Sequence, residues 1–412
     1  MLILHLPKPS PRIEYVAGVV FRRVLGLEFV IQIDASVAVP AVSVSGSEHR
    51  LPLLAKHPVL REGFHDALRE LPEAEEALAR AFWFLNEYEL DAQFPLDVHG
   101  RSDESHRFAI RNHQSNRPFV QEIAAQFAQQ IQKLWPAIPI KMPVFTWQIT
   151  FDVDWPYRYR GRPLWVQGAA LLRDTVKGNG NEVRERLRVV RGGADPYDTY
   201  GKIAKDLSPS QTAFFFLSGG KHKHDSPFSF QNREYRKLIR SIADQDFPVG
   251  IHPSYLSAEE PERIASETAA LAEIIGRPVR ISRQHFLKFR TPETYRALLA
   301  AGIENEFTGG WARALGSRFG INLPFPWYDR QQESETPLIL HPVQAMDRTF
   351  QKYLKLKPLE AGYLLRKEIQ NVRHTGGCFH LLLHNETLSN DGDWLGWLAF
   401  YRAALAELVE AE

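Results

Sequence analysis

The sequence predicts an α/β protein, a distorted (β/α)7 barrel preceded by a smaller α/β amino-terminal domain. Three observations lead there. From residue 144 onward, seven short apolar runs alternate with amphipathic stretches of helical period, the pattern of strand–helix units on a parallel sheet. Polar, titratable residues follow six of those runs at the same end, which is the end where parallel barrels place their chemistry. Before residue 140 the pattern is mixed, and a proline-broken stretch at Pro136, Pro139 and Pro143 separates the two parts. Residues 1–140 are therefore assigned to the accessory domain and 141–412 to the barrel.

In the first part, Ile13, Val16, Val20 and Val24 recur at helical spacing. Segments 27–33 and 41–44 read as short strands, 64–90 as a helical region ending in Phe82, Trp83 and Phe84, and 119–135 as a helix. Between them, 97–106 is polar and turn-rich, and His99 and His113 read as structural. In the second part the strands are expected at 144–151, 212–217, 248–251, 279–281, 303–307, 338–340 and 378–383. Helices fill most of the gaps, at 197–207, 234–246, 259–275, 292–301 and 359–374, with a last one at 394–411. Seven such units suit a closed or nearly closed barrel better than an open sheet.

Composition narrows the partners. Lys and Arg total 50 against 49 Asp and Glu, so no whole-chain charge favours nucleic acid or an anionic membrane. The single cysteine, Cys378, excludes an internal disulfide and a Cys-rich zinc framework. The apolar start, Met-Leu-Ile-Leu-His-Leu, is too short for a signal-peptide core, and nowhere do 18 apolar residues run together. A cytoplasmic chain without a membrane span is the expectation. Oligomeric state is left open.

The strand ends carry the chemistry. The first reads Asp152-Val-Asp154-Trp155, the second runs into a loop with His222 and His224, and the third ends in His252-Pro-Ser-Tyr255. The fourth ends in Ser282-Arg283-Gln284-His285, the sixth leads through His341 to Asp347, and the seventh ends in His384-Asn385-Glu386. Aspartate also caps turns, and a strand-end histidine is often only hydrogen-bonded. Yet two carboxylates one residue apart, on a rim shared with several histidines, suit a site needing both a metal ligand and a base.

These stretches resemble the polysaccharide deacetylases of the NodB-homology type, carbohydrate esterase family 4, in a bacterial branch with an extra amino-terminal domain. The likeness is carried by Thr150-Phe-Asp-Val-Asp154, Gly250-Ile-His-Pro-Ser-Tyr255, Ser282-Arg-Gln-His-Phe-Leu-Lys288, Gln344-Ala-Met-Asp347 and His384-Asn385-Glu386, in the family's order. Asp97-Val-His-Gly-Arg101 is similar to a signature of the accompanying first domain. The resemblance implies a NodB-like barrel, a divalent metal, commonly zinc, and hydrolysis of an N- or O-acetyl group on a sugar or polysaccharide precursor. It maps the catalytic base to Asp152, the general acid to His384 and the base-orienting arginine to Arg283. Metal ligands are implied at Asp154 and His252, and Trp155, Tyr255 and Asn385 are assigned to the carbohydrate substrate.

Two departures from the family pattern matter. Val153 separates aspartates that are commonly adjacent, and Leu256 stands where a second ligand histidine is usual. Leucine binds no metal, and a catalytic zinc usually has three protein ligands. His285 is the first substitute, with His222 or His224 next. The alternative reading is a non-catalytic carbohydrate-binding barrel that has lost part of its metal site.

Overall fold

The computed structural model of the chain describes residues 1–411, apart from 67, 91, 92 and 163. A small sheet near the amino terminus has the order β2-β1-β3-β4, from β1 (Leu2–Leu6), β2 (Phe29–Ile33), β3 (Ala41–Val44) and β4 (Arg50–Pro52). The large sheet holds β5 (Phe145–Val153), β6 (Thr212–Leu217), β7 (Val249–His252), β8 (Ile281–Ser282), β9 (Asn305–Glu306), β10 (Phe325–Asp329), β11 (Ser334–Leu340), β12 (Ala345–Met346) and β13 (Gly377–His384). Its order is β10-β11-β9-β8-β7-β6-β5-β13-β12. Every pairing in it is parallel except β10 with β11. Each of the seven expected apolar runs meets a strand of this sheet, although 279–281 does so only at Ile281 and 303–307 only at Asn305 and Glu306.

β6 shows why they read so clearly. Its sequence Thr-Ala-Phe-Phe-Phe-Leu is buried at every position, because a central parallel strand is covered on both faces. β10 escaped notice for the converse reason. It carries Pro326, cannot donate at that position, and sits at the sheet's end in an antiparallel hairpin, the place where strand prolines are tolerated.

The sheet curls around a common interior. Arg283, just after β8, and His380 in β13 lie four strand positions apart, which is about 19 Å across a flat sheet. Yet Arg283 Nη2 and His380 Nε2 are 3.2 Å apart. No ladder joins β10 to β12 among the described residues, so the barrel is open there rather than closed.

Other expectations need correcting. Within 64–90 only Ala77–Leu85 is helical. Pro72 supplies no backbone donor and pushes its predecessor out of helical dihedrals, and residue 67 lies outside the described residues. Two helices, Leu164–Val176 and Gly180–Val190, occupy a stretch to which the sequence reading assigned nothing. No described helix is long and apolar enough to cross a membrane.

The amino-terminal part is fixed to the barrel by buried polar contacts. Tyr15 donates to the Pro326 carbonyl at 2.8 Å, and the buried Arg12 pairs with Glu333 at 2.5 Å. Glu87 takes both Arg107 (2.7 Å) and Arg318 (2.5 Å). Breaking a buried pair of this kind typically costs about 3–5 kcal/mol, so these contacts hold the loops of the first part against the barrel.

One buried acid lies away from all this. Glu368, in the helix Pro358–Thr375, is pushed up to about 8 by burial. A carboxyl raised on folding favours the native state at low pH, and that contribution fades as pH rises from its unfolded value through about 8. By pH 7 the cost is about 3 kcal/mol. Denaturant unfolding at pH 5 and pH 8.5 should therefore show a smaller stability loss in Glu368→Gln than in wild type.

Candidate metal centre

Strand alternation on β5 sets the site's first wall. Phe151 and Val153 point into the hydrophobic core, so Thr150 and Asp152 take the opposite face. Both meet Arg283, which donates to Asp152 Oδ1 and to Thr150 Oγ1 at 2.7 Å each and to the Phe307 carbonyl at 3.0 Å. With its ring-face contact on Phe215 (4.4 Å), the buried Arg283 is fixed on all sides and fixes Asp152 in turn. The other carboxylate oxygen, Oδ2, lies 3.8 Å from His252 Nε2.

His252 closes β7 and is buried. Its Nδ1 lies 2.5 Å from the Arg283 carbonyl, a contact that requires a proton on Nδ1 and so, in the neutral imidazole, leaves the lone pair on Nε2. His285 is arranged in the mirrored sense. Its Nε2 lies 3.0 Å from the His224 carbonyl, which leaves the lone pair on Nδ1. The two lone-pair nitrogens are 3.0 Å apart. Asp154 Oδ1 lies 3.4 Å from the first and 3.6 Å from the second, and is buried with no hydrogen-bond partner.

With both imidazoles neutral, the three atoms form an acceptor cluster that suits a cation. Ligands about 2.0–2.1 Å from one tetrahedral ion lie about 3.4 Å from each other, close to the separations here. Each imidazole already gives its second nitrogen to a backbone carbonyl, the usual support for a ligating histidine. Without an ion the same groups supply their own positive charge, since Asp152 and Asp154 raise the His252 imidazole against the pull of burial. Burial pushes the Asp154 carboxyl up, but the imidazoles of His285, His252 and His384 more than offset that and hold it well below the usual range. Burial lowers the His285 imidazole and favours its neutral form. The residues fit a divalent ion, and their N₂O donor set suits zinc.

His384 ends β13 beside the centre. Its Nδ1 lies 2.8 Å from Asp347 Oδ1, its backbone N–H donates to Asp347 Oδ2 at 2.6 Å, and Thr387 donates to the same oxygen. Burial alone would lower this imidazole, but Asp347 outweighs it and raises the group to about 9. Its Nε2 points to Asp154 Oδ2 at 3.6 Å. Asp152, Asp154, His252, His285 and His384 all line one cavity of about 240 Å³, with Trp155 on its wall.

Other expected residues fall elsewhere. Tyr255 is outside the cavity lining and stacks on His222, with ring centres 4.3 Å apart. Asn385 is fully buried and spends its amide on the carbonyls of Trp155 and Tyr197, so it braces Trp155 from behind. His224 lines the cavity but serves the centre through its carbonyl. His341 stacks on Phe307 at 4.1 Å. Sequence reasoning placed Asp347 at a strand end and in a motif but gave it no role in the site. Arg348, one residue on, and Arg101, from the first part of the chain, also line the cavity.

The class this geometry defines is a parallel α/β barrel with a candidate mononuclear metal centre at the carboxyl ends of its strands. Residues 2–136 match a protein family of unknown function, DUF7033. No curated protein matches the chain. Among solved structures, it is similar to a Mycobacterium smegmatis protein described as a candidate polysaccharide deacetylase (16% identity, 65% of this chain and 84% of that one, TM-score 0.41). It is also similar to a polysaccharide deacetylase of Bacillus cereus (14%, 64% and 87%, TM-score 0.31) and to the PuuE allantoinase (11%, 66% and 85%, TM-score 0.40).

Proposed function

We propose that the chain is a metal-dependent hydrolase that removes an N- or O-acetyl group from a sugar or polysaccharide precursor. The reading rests on one observation above the others. A buried Asp154 Oδ1 without a hydrogen-bond partner faces Nε2 of His252 and Nδ1 of His285, with a fixed carboxylate and a charged imidazole on either side. The strand-end motifs carry the acetyl and carbohydrate part of the reading. A bound dication at Asp154, His252 and His285 supplies Lewis-acid polarisation of the acyl carbonyl and a water of lowered pKa.

The chain's own groups then divide the proton work. Asp152, oriented by Arg283, accepts the proton of the attacking water through Oδ2. His384, held protonated by Asp347, delivers a proton to the departing nitrogen or oxygen, which is too basic to leave as an anion. The wall around Trp155 seats the sugar.

A sign follows for pH. His384 acts as an acid only below its own pKa, so activity falls on the alkaline side, at or below about 9. Asp347→Asn removes the charge that raises His384. Its kcat–pH profile should show the alkaline limb displaced to lower pH, with a lower plateau.

Acetate release from N- and O-acetylated amino sugars, measured on zinc-loaded and chelator-stripped protein, tests the function. Release that depends on the metal supports it. Sugar binding without acetate release in either form would make the chain a carbohydrate binder instead. Turnover of cyclic amides but not acetylated sugars would change the bond it hydrolyses.

A further inference from the structure

We infer that the amino-terminal region has a function in this site: its turn at 97–101 clamps the segment carrying His285 and thereby sets how tightly the metal ion is held. The inference rests on the reading of Asp154, His252 and His285 as ligands.

The turn is rigid by construction. Asp97 Oδ1 accepts the backbone N–H groups of His99 (2.9 Å) and Arg101 (3.0 Å). Its Oδ2 accepts Nε (2.8 Å) and Nη2 (2.6 Å) of the Arg101 guanidinium. Gly100 supplies the positive φ of 77° that the turn needs. Locked this way and nearly buried, Arg101 has Nη1 left over, and it donates to the Phe286 carbonyl at 2.8 Å.

That carbonyl belongs to a strained turn. Phe286 (φ 60°, ψ 16°) and Leu287 (φ 52°) both sit in the left-handed region directly after His285. A Cβ disfavours this region, and residues persist there only where their surroundings hold them. The holding groups come from the amino-terminal turn and its neighbours. The Phe286 ring packs against His99 (4.6 Å between ring centres) and His224 (5.0 Å). His99 Nδ1 also meets the Tyr255 hydroxyl at 3.1 Å, tying the turn to the loop after His252. His224 is the residue whose carbonyl fixes His285 Nε2. One turn thus bears on both restraints that aim His285 Nδ1 at the ligand cluster. Without it, Phe286 and Leu287 are free to relax toward ordinary dihedrals and swing His285 away. Arg101 is in this sense a positioning residue.

The test is zinc affinity of the full-length chain, measured by competition with a chromophoric chelator and independent of any turnover. Arg101→Ala should bind zinc about ten- to a hundredfold more weakly, the range seen for groups that orient metal ligands. Arg101→Lys, which keeps a donor, should recover part of the loss. Wild-type affinity in Arg101→Ala would overturn the clamp. Should Arg101→Ala fail to fold, Asp97→Asn frees the guanidinium without removing it and should weaken zinc in the same direction; unchanged affinity there would overturn the clamp equally. The two readings separate cleanly. A wild type that binds zinc, with variants that match it, removes the clamp alone, whereas a wild type that binds none removes the ligand set and the clamp together.

Discussion

Replacing His285 by alanine is expected to lower zinc affinity more than a hundredfold while leaving the fold in place. His285 supplies one of three ligand atoms that lie within 4.8 Å of one another. A four-ligand structural zinc site is worth about 10–16 kcal/mol, so one ligand accounts for roughly 3 kcal/mol. His285 sits on a short turn after β8 rather than in a strand, so the truncation leaves the sheet's ladders intact. Zinc titration of wild type and variant, with thermal unfolding of both in chelator, checks the two halves. A variant that binds zinc as wild type does would move the third ligand to another group, such as His224 on the same cavity wall.

Asp152→Asn is expected to separate the proton work from the metal. Zinc should still bind, because Asp152 Oδ2 lies 3.8 Å from His252 Nε2 and outside the ligand triangle. Hydrolysis should fall by about 10²–10⁴, the usual contribution of a positioned base. The substitution also leaves the buried Arg283 without its counter-ion, so a stability loss of about 3 kcal/mol or more should accompany it. kcat, zinc stoichiometry and denaturant unfolding on one preparation distinguish these effects. Undiminished acetate release would remove Asp152 from the base role.

How far the sequence speaks depends on what each element answers to. β6 was legible because burial on both faces forces an unbroken apolar run. Gly180–Val190 was not, since its few apolar residues are set among charged ones and it buries only Arg186 and Val189 along its length. Asp152, His252 and His384 could be found because a parallel sheet sends its strand ends to one rim. Asn385 shared that address, yet its side chain turned to backbone carbonyls, and position in sequence does not fix which way a side chain points. Arg101 lay outside the rule altogether, because it reaches the site from a different part of the chain. The place left empty by Leu256 was likewise a tertiary matter. Only the packing of the turn after β8 against His224 shows His285 facing His252.

The most direct measurement is the zinc content per chain, by elemental analysis of wild type and Asp154→Ala purified side by side after zinc addition and dialysis. Close to one tightly held ion is expected in the wild type and little in the variant, whose buried carboxylate oxygen is gone. Wild-type protein that retains no ion under those conditions would contradict it.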